Sequence, residues 1–394
     1  MKKLEKSVPV IRFKGFSEAW EQRKLGEVFT ERSEKSSKGE LISVTISSGV
    51  IKASELERKD ISSSDKSNYK VVKKGDIAYN SMRMWQGASG HSLFDGILSP
   101  AYTIITPKKN ISSKFISYIF KKHNMIQNFQ RRSQGLTSDT WNLKFPALSG
   151  IKVKIPNYTE QAKISDFFQH IDNTIALHQR KLDALKLMKK GFLQQMFPKI
   201  EADIPEIRFA DFDGKWEQRK LGEIFNERSE RSADGELISV TINSGVVKAS
   251  KLEKKDNSSF DKSNYKVVKK GDIAYNSMRM WQGASGYSSY DGILSPAYTV
   301  IYPRKDIDTI FIAYMFKKID MIQTFQRNSQ GLTSDTWNLK FPSLSTIKIK
   351  IPANDEQIKI TNLFQKLEYT SILHQNQIEM LKKVKKAYLQ TMFI

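Results

Sequence analysis

The sequence predicts an α/β protein in which two mixed α/β domains, related by a pseudo-twofold axis, are separated by two long antiparallel coiled-coil helices. Three observations predict this fold class: an internal repeat, mixed strand and helix patterns in the first part of each copy, and a heptad pattern in the second part. The chain has 394 residues, of which 39% are hydrophobic, so it is long and apolar enough for two or three domains with their own cores.

The repeat is a tandem duplication with a constant offset of 196 residues. Residues 16–197 are identical to residues 212–393 at 126 of 182 positions, with no insertion or deletion. Residues 65–90 and 261–286 are identical at every position. We therefore expect both halves to have the same fold.

Strand and helix patterns alternate in the first part of each copy. Residues 151–155 alternate between apolar and charged side chains and stop at Pro156, as a half-buried strand does. Residues 71–79 predict a strand, a turn and a second strand. Residues 115–129 predict an amphipathic helix whose polar face carries the lysine pair 121–122.

The second part of each copy has an a/d heptad seam that extends over more than four heptads. The seam positions are Ile164, Phe168, Ile171, Ile175, His178, Leu182, Leu185, Lys189, Phe192 and Met196, and then Ile360, Phe364, Leu367, Ser371, His374, Ile378, Leu381, Lys385, Tyr388 and Met392. Two copies of one helix bury each other most economically when they pack antiparallel. We interpret His178 and His374 as a polar pair that fixes the register, because a metal site would need further ligands.

These patterns divide the chain into four segments. We expect mixed α/β domains at residues 1–158 and 198–354, and long helices at residues 159–197 and 355–394. A seam of this length spans about 50 Å, so the helices would hold the two domains at a fixed separation. Fixed spacing suits a bipartite DNA site, whose half-sites lie about 34–36 Å apart when they are one helical turn apart.

The composition favours a polyanionic partner. The chain has 64 lysines and arginines against 42 aspartates and glutamates, which gives a net charge of +22. An excess of this size favours binding to nucleic acid through phosphate neutralisation. We find no basic amphipathic helix, lipid-anchor motif, long apolar run or signal-peptide pattern, so we expect a cytoplasmic protein that does not bind membranes.

No pattern in the sequence indicates a catalytic centre. The absence of cysteine excludes disulfides, thiolate zinc sites and a cysteine nucleophile. The sequence contains no G-x-G-x-x-G, P-loop, H-E-x-x-H or G-x-S-x-G motif. We therefore expect a protein that is not an enzyme and holds no cofactor.

Several segments resemble one family. The segment Glu160-Gln161-Ala162-Lys163-Ile164 and the helix ending at residues 189–197 resemble the spacer helix of specificity subunits of Type I restriction–modification enzymes. The opening Ile11-Arg12-Phe13-Lys14-Gly15-Phe16 is similar to the N-terminal region of that family. The resemblance covers essentially the whole chain and occurs twice.

The resemblance implies two target-recognition domains separated by two antiparallel helices. It also implies assembly on double-stranded DNA with two modification subunits, which methylate adenine, and with restriction subunits, which translocate and cut DNA. S-adenosylmethionine, ATP and Mg would then be bound by those partners and not by this chain. The alternatives are a free-standing DNA-binding regulator without a methyltransferase partner, and an enzyme, either a fused restriction–modification polypeptide or a standalone methyltransferase.

In one respect the chain departs from the family. Members usually carry two dissimilar recognition domains and read an asymmetric bipartite site, whereas here the two domains are nearly identical. The sequence therefore predicts a palindromic or nearly palindromic target.

The first candidate block for base contacts is Tyr79–Gly87, which is repeated at Tyr275–Gly283. Arginine can bridge O6 and N7 of guanine, and asparagine or glutamine can bridge N6 and N7 of adenine. The candidates of these types are Asn80, Arg83 and Gln86 and their counterparts Asn276, Arg279 and Gln282. The alternative interpretation is a buried strand end with Trp85 in the core and a structural role for the arginine.

The second candidate block follows the basic helix and contains a polar, glycine-bearing loop. Phosphate contacts are predicted for Arg131 and Lys144, and base contacts for Gln134 and Asn142. The counterparts in the second copy are Arg327, Lys340, Gln330 and Asn338. A helix cap followed by an ordered surface loop, with Trp141 in the core, explains the block equally well.

The third group of candidates consists of two lysine pairs beside turns. Lys73 and Lys74, with Lys269 and Lys270 in the second copy, are candidate phosphate contacts. An ordinary solvated lysine pair is the commoner explanation for such a pattern.

Overall fold

The structure is a computed structural model that describes residues 8–56, 63–252 and 258–394. Its strands are β1 (Glu21–Lys24), β2 (Phe29–Glu31), β3 (Ile42–Thr45), β4 (Gly49–Lys52), β5 (Lys70–Val72), β6 (Ile77–Asn80), β7 (Ser89–His91), β8 (Gly96–Leu98), β9 (Tyr102–Pro107), β10 (Lys152–Ile155), β11 (Glu217–Lys220), β12 (Phe225–Glu227), β13 (Ile238–Thr241), β14 (Gly245–Lys248), β15 (Lys266–Val268), β16 (Ile273–Asn276), β17 (Ser285–Tyr287), β18 (Gly292–Leu294), β19 (Tyr298–Pro303) and β20 (Lys348–Ile351). Its α-helices are α1 (Leu25–Val28), α2 (Ser113–Phe120), α3 (His123–Arg132), α4 (Phe145–Ser149), α5 (Tyr158–Gln195), α6 (Leu221–Ile224), α7 (Thr309–Met315), α8 (Ile319–Asn328), α9 (Phe341–Ser345) and α10 (Asn354–Thr391).

The chain divides into two compact units. Unit 1 consists of Met1–His178 and Asn376–Ile394, and unit 2 consists of Gln179–Gln375. Each unit contains one mixed α/β domain together with a part of α5 and a part of α10. The mixed α/β domains and the long helices confirm the predicted fold class.

The central sheet of unit 1 is antiparallel, with the strand order β2-β9-β6-β7. Its core lies where α2 and α3 cover this sheet, and Ile77, Tyr79, Ile105 and Phe115 are fully buried there. Unit 2 repeats this arrangement with the strand order β12-β19-β16-β17. Residues that are 196 positions apart in the sequence therefore occupy the same places in the two sheets.

The predicted strands at 71–79 and 151–155 are confirmed as β5, β6 and β10. In β10, Val153 and Ile155 are buried while Lys152 is exposed, as the alternation predicts. The two strands that flank the turn at Gly75 are not partners, because β5 pairs with β8 and β6 pairs with β9 and β7.

The prediction of one amphipathic helix over residues 115–129 is wrong. The helix breaks into α2 and α3, since Lys122 has an extended backbone and precedes the first residue of α3. The lysine pair does not form a solvated face either. Lys121 donates hydrogen bonds to the carbonyl oxygens of Gly87 and Ile46, and Lys122 donates one to the carbonyl oxygen of Ile394.

The long helices follow the predicted heptad seam. All ten seam positions of each copy are buried or partly buried, whereas most other positions of α5 and α10 are exposed. Nine of the ten lie within the helix, and the tenth, Met196 or Met392, directly follows it. In unit 1 the rings of Phe167 and Tyr388 meet at 5.1 Å, and Lys385 pairs with Asp172. This pairing runs in opposite chain directions, which confirms antiparallel packing within the unit.

A polar seam position connects the helices to each domain. In unit 2, Lys189 lies 2.6 Å from the carboxylate of Glu368, which also accepts a hydrogen bond from Tyr314 at 2.9 Å. In unit 1, Lys385, Asp172 and Tyr118 form the same arrangement.

The family-like segments at 11–16 and 160–164 meet in unit 1. Arg12 makes two hydrogen bonds of 2.7 Å to the buried carboxylate of Glu160, and Arg208 does the same with Glu356 in unit 2. These bidentate pairs attach the start of each long helix to its domain.

Within the described residues, no helix combines the length and apolar character of a membrane span, and no three His, Asp or Glu side chains form a group suited to a metal ion.

Candidate nucleic-acid interface

The first candidate block forms a tight loop between β6 and β7. Asn80 ends β6, and the amide of Arg83 donates to its carbonyl oxygen at 3.0 Å. A single 3-10 turn over Met84–Gln86 follows, and it closes at Gly87 with a left-handed φ of 86°. Met84 is fully buried and anchors the turn, while Arg83 and Gln86 are exposed.

The second candidate block forms a closed loop beside the first. Gln134 and Asn142 exchange backbone hydrogen bonds of 3.0 and 2.8 Å, which joins the two ends of the loop. The amide of Leu143 then donates to the carbonyl oxygen of Ser81 at 2.8 Å. Because Leu143 is fully buried, this contact holds the second loop against the first.

Two tryptophans also join the loops. Trp85 and Trp141 pack edge to face with ring centroids 5.2 Å apart, and the indole N–H of Trp85 donates to the carbonyl oxygen of Met82. Both rings are partly exposed. Trp85 and Trp141 therefore support the surface. The alternative interpretations, which placed both tryptophans in the domain core, are wrong on this point.

The two loops enclose one cavity of about 490 Å³. It is lined by Asn80, Met82, Arg83, Trp85, Gln86, Ala101, Ser138 and Asp139. All eight residues are identical in the second copy. A larger adjoining cavity of about 930 Å³ shares Asn80 and Ala101 with it, and all sixteen of its lining residues are identical in the second copy too. We call the surface formed by residues 80–87 and 133–144, and by 276–283 and 329–340 in unit 2, the reading surface.

Arg83 and Arg279 are the most available of the candidate base contacts. Both are exposed, and neither guanidinium group makes a hydrogen bond or ion pair with another described residue. Gln86 is also exposed, whereas its counterpart Gln282 is half-buried, with Oε1 buried and without a hydrogen bond from the described residues.

The asparagine candidates are more constrained. Oδ1 of Asn80 accepts a hydrogen bond from the amide of Met82 at 3.0 Å, and Asn276 does the same with Met278. Oδ1 of Asn142 and Asn338 is buried and accepts no hydrogen bond from the described residues. A bidentate contact with adenine needs both ends of the amide, so Asn142 and Asn338 are the weaker candidates in this conformation.

The remaining candidates lie on or beside the reading surface, with one exception. Arg131 is exposed in the last turn of α3, Gln134 opens the loop, and Lys144 is exposed immediately before α4. Arg327, Gln330 and Lys340 occupy the same exposed positions in unit 2. These side chains surround the loop as phosphate contacts would.

The exception is the group of lysine pairs beside turns. Lys73 and Lys74 precede β6, so they lie at the opposite end of this strand from Asn80. Lys73 lies 3.9 Å from the carboxylate of Glu34, and Lys269 lies 3.4 Å from Glu230. The structure therefore does not bring Lys73, Lys74, Lys269 and Lys270 together with the other candidates.

Lys121 is a supporting residue that the sequence motifs did not indicate. Its ammonium group donates to the carbonyl oxygen of Gly87 at 2.6 Å and to that of Ile46 at 3.3 Å. Burial, reinforced by the charge of Lys385, lowers the pKa of Lys121 to about 8. Lys317 makes the same two contacts in unit 2. The identity of this lysine in both copies was the available signal.

A family model of the Type I restriction modification DNA specificity domain matches residues 17–187 and again residues 213–383. The chain belongs to this family. The match occurs once in each copy of the repeat and includes the reading surface in each, so both units contain a DNA specificity domain.

The chain is similar to specificity subunits from other organisms. It is 23% identical to the Type I restriction enzyme MjaVIII specificity subunit of Methanocaldococcus jannaschii over 352 residues, which cover 80% of this chain and 77% of that protein. It is also 23% identical to the putative MjaX specificity subunit of the same organism over 229 residues, 52% of each protein. The crystal structure of the Type I S subunit from M. genitalium has the same fold, with a TM-score of 0.59 at 15% identity, over 98% of this chain and 99% of that one.

Proposed function

We propose that this chain is the non-catalytic subunit that directs adenine methylation and restriction to a bipartite DNA target with two matching half-sites. The target would be palindromic or nearly so. Double-stranded DNA, two modification subunits and restriction subunits would be its partners. S-adenosylmethionine, ATP and Mg would be bound by those partner subunits.

The observation that supports the proposal most is the agreement between the two reading surfaces. The paired tryptophans are 5.2 Å apart in unit 1 and 5.1 Å apart in unit 2. The amide-to-carbonyl contact between the loops is 2.8 Å in both. Two surfaces with the same side chains and the same contacts between their loops should prefer the same bases.

The chemistry of the surface also supports DNA as the ligand. Exposed arginine and glutamine side chains lie beside a cavity, and further basic side chains surround them. The first group can read the edges of bases in the major groove, and the second can hold phosphates. The net charge of +22 agrees with a polyanionic ligand.

Single-molecule sequencing of DNA from cells that express this chain with its methyltransferase tests the proposal. We expect a methylated-adenine motif with inverted, matching half-sites around a gap of constant length. Cells that express the methyltransferase alone are the control, and they should show no such motif.

The other outcomes separate the parts of the proposal. An asymmetric bipartite motif would contradict matching half-sites but keep the role in recognition. If no motif appeared although the complex assembled and the methyltransferase was active, the role in methylation would be refuted. Specific DNA binding without any methyltransferase partner would then indicate a free-standing regulator.

A further inference from the structure

The tip of the second loop of the reading surface carries an unusual leucine. Leu136 in unit 1 and Leu332 in unit 2 have relative exposures of 101%, so each contacts essentially nothing in its own unit. Its neighbours along the chain in unit 1 are Gly135 and Thr137, and residues 133–140 and 329–336 contain no other large apolar side chain. Folding gains nothing from an apolar side chain in this position, because it stays in water.

The loop that presents this leucine has a defined shape. Thr140 Oγ1 accepts a hydrogen bond from the amide of Thr137 at 3.2 Å and donates one to its carbonyl oxygen at 3.0 Å. Gly135 has a φ of 141°, and a Cβ atom in its place would lie 2.6 Å from the carbonyl oxygen of Thr140. The loop is thus held closed, and it presents the leucine at a fixed position.

The same loop contributes to the reading surface. Ser138 and Asp139, two and three residues after the leucine, line the cavity together with Arg83. Residues 133–146 and 329–342 are identical, although the two copies differ at many other exposed positions. The leucine is therefore next to the side chains that would meet DNA, and it is the same in both units.

The neighbouring side chains indicate which groove and which group it would meet. Arginine, asparagine and glutamine make their specific bidentate contacts in the major groove. The 5-methyl group of thymine is the apolar group that a base edge presents there. Building on the function proposed above, we propose that Leu136 and Leu332 are specificity-determining residues that contact a thymine methyl group in each half-site.

The test compares thymine with uracil, which lacks only this methyl group. The complex of the full chain with its methyltransferase subunits is titrated with duplexes that carry the methylated motif, in which one thymine of each half-site in turn is replaced by uracil. Dissociation constants are measured at one fixed salt concentration, because phosphate contacts depend on salt.

For the unaltered chain we expect one thymine position at which the replacement weakens binding. The expected loss is about fourfold in one half-site and about fifteenfold in both, from the transfer free energy of one buried carbon. The double variant Leu136→Ala/Leu332→Ala should bind the thymine duplex more weakly and should not distinguish it from the uracil duplex.

A matched control uses another exposed leucine. Leu93 is half exposed, and its counterpart in unit 2 is Ser289. The variant Leu93→Ser should keep the full sensitivity to uracil.

The inference is overturned if the unaltered complex binds thymine and uracil duplexes equally at every position. It is also overturned if the double variant still binds the thymine duplex more tightly than the uracil duplex by the same factor. It is also overturned if the double variant only fails to assemble with the methyltransferase, since the loop would then meet protein. In each case a methylated motif made by the unaltered complex would leave the proposed function standing.

Discussion

The two units show which parts of one fold can change and which have stayed the same. All residues that line the cavity of the reading surface are identical in both copies. Another cavity in unit 1, beside the end of α10, has a lining that is only partly the same in the second copy. Among its lining residues are Val8, His123 and Asn124, and the corresponding residues of unit 2 are Ile204, Ile319 and Asp320. The lining of this cavity therefore differs between the copies, whereas the lining of the reading surface does not.

Some of the differences compensate one another. In unit 1 a Cβ atom on Gly150 would lie 3.2 Å from the guanidinium of Arg132. Unit 2 has Thr346 in place of this glycine, and it has the shorter Asn328 in place of the arginine. Such changes preserve packing without altering the reading surface, so they give no reason to expect different half-sites.

The largest expected effect comes from removing the exposed arginines. Arg83→Ala and Arg279→Ala should each weaken discrimination by about 1–3 kcal/mol, because each removes one bidentate base contact. The two single variants should have equal effects, and the double variant should abolish specific methylation. The measurement is the rate of methylation at the motif compared with a mismatched site, after assembly of the complex has been verified.

Arg132→Asn is the control for these variants. It removes an exposed arginine of unit 1 and introduces the residue that unit 2 already has. Unequal effects of the two single alanine variants would show that the units read different bases. Normal specificity of the double variant would remove both arginines from the reading surface.

A smaller effect is expected from Lys121 and Lys317, the partly buried lysines that hold the reading loop. Lys121→Met leaves the carbonyl oxygens of Gly87 and Ile46 without their donor. We expect a loss of about 1–3 kcal/mol in the free energy of unfolding, together with weaker discrimination between bases. Lys317→Met should do the same in unit 2.

Chemical denaturation and the methylation assay measure these two losses separately. Lys121→Arg keeps a donor in this position and should recover part of both. If Lys121→Met changed the free energy of unfolding but not the discrimination, the lysine would stabilise the unit without positioning the reading loop.

Much of the fold could be predicted because its signals are local or repeated. The alternation in residues 151–155 and the heptad seam depend on periods that a short window reveals. The partners of β5 and β6 could not be predicted, since pairing joins residues that are distant in sequence. The break between α2 and α3 was missed because the apolar positions keep a helical period across it.

The sequence indicated which segments form the candidate site, but it could not rank the candidate residues within them. Identity between the copies identified both loops, and the structure brings them together through Leu143 and Ser81. The sequence could not show that Oδ1 of Asn142 is buried or that Leu136 is fully exposed. It gave Arg12 and Glu160 only as parts of family-like segments, whereas their pairing 148 residues apart is a property of the fold.

A third effect should distinguish the units by their response to acid. His91 in unit 1 lies 2.9 Å from Ser113, and burial lowers the pKa of His91 to about 4 from its usual 6.5. Below pH 6.5 the unfolded chain takes up a proton that the folded unit does not bind until about pH 4. Stability from the neutral histidine is therefore present above pH 6.5 and is lost as the pH falls toward 4.

Unit 2 has Tyr287 in this position and lacks this dependence. Between pH 6.5 and 4 the unaltered protein should lose about 1–2 kcal/mol of its free energy of unfolding through His91, and His91→Tyr should remove this loss. The amount is smaller than the full pKa shift would give, because the ring is partly exposed. The measurement is the free energy of unfolding of the unaltered chain and of the His91→Tyr variant as a function of pH. Parallel curves would show that the histidine does not contribute.

The smallest effect is expected where the two units differ without consequence for DNA. Arg132→Asn with Gly150→Thr gives unit 1 the residues that unit 2 has at these positions. We expect a change of less than about 0.5 kcal/mol in the free energy of unfolding and the same methylated motif. Gly150→Thr alone should cost slightly more, because the new Cβ displaces the guanidinium of Arg132, which is exposed and can move. Arg132 directly precedes the second loop of the reading surface. A changed motif in the double variant would therefore mean that the reading surface includes this position. Because the two units differ there, the half-sites would then have to be unequal.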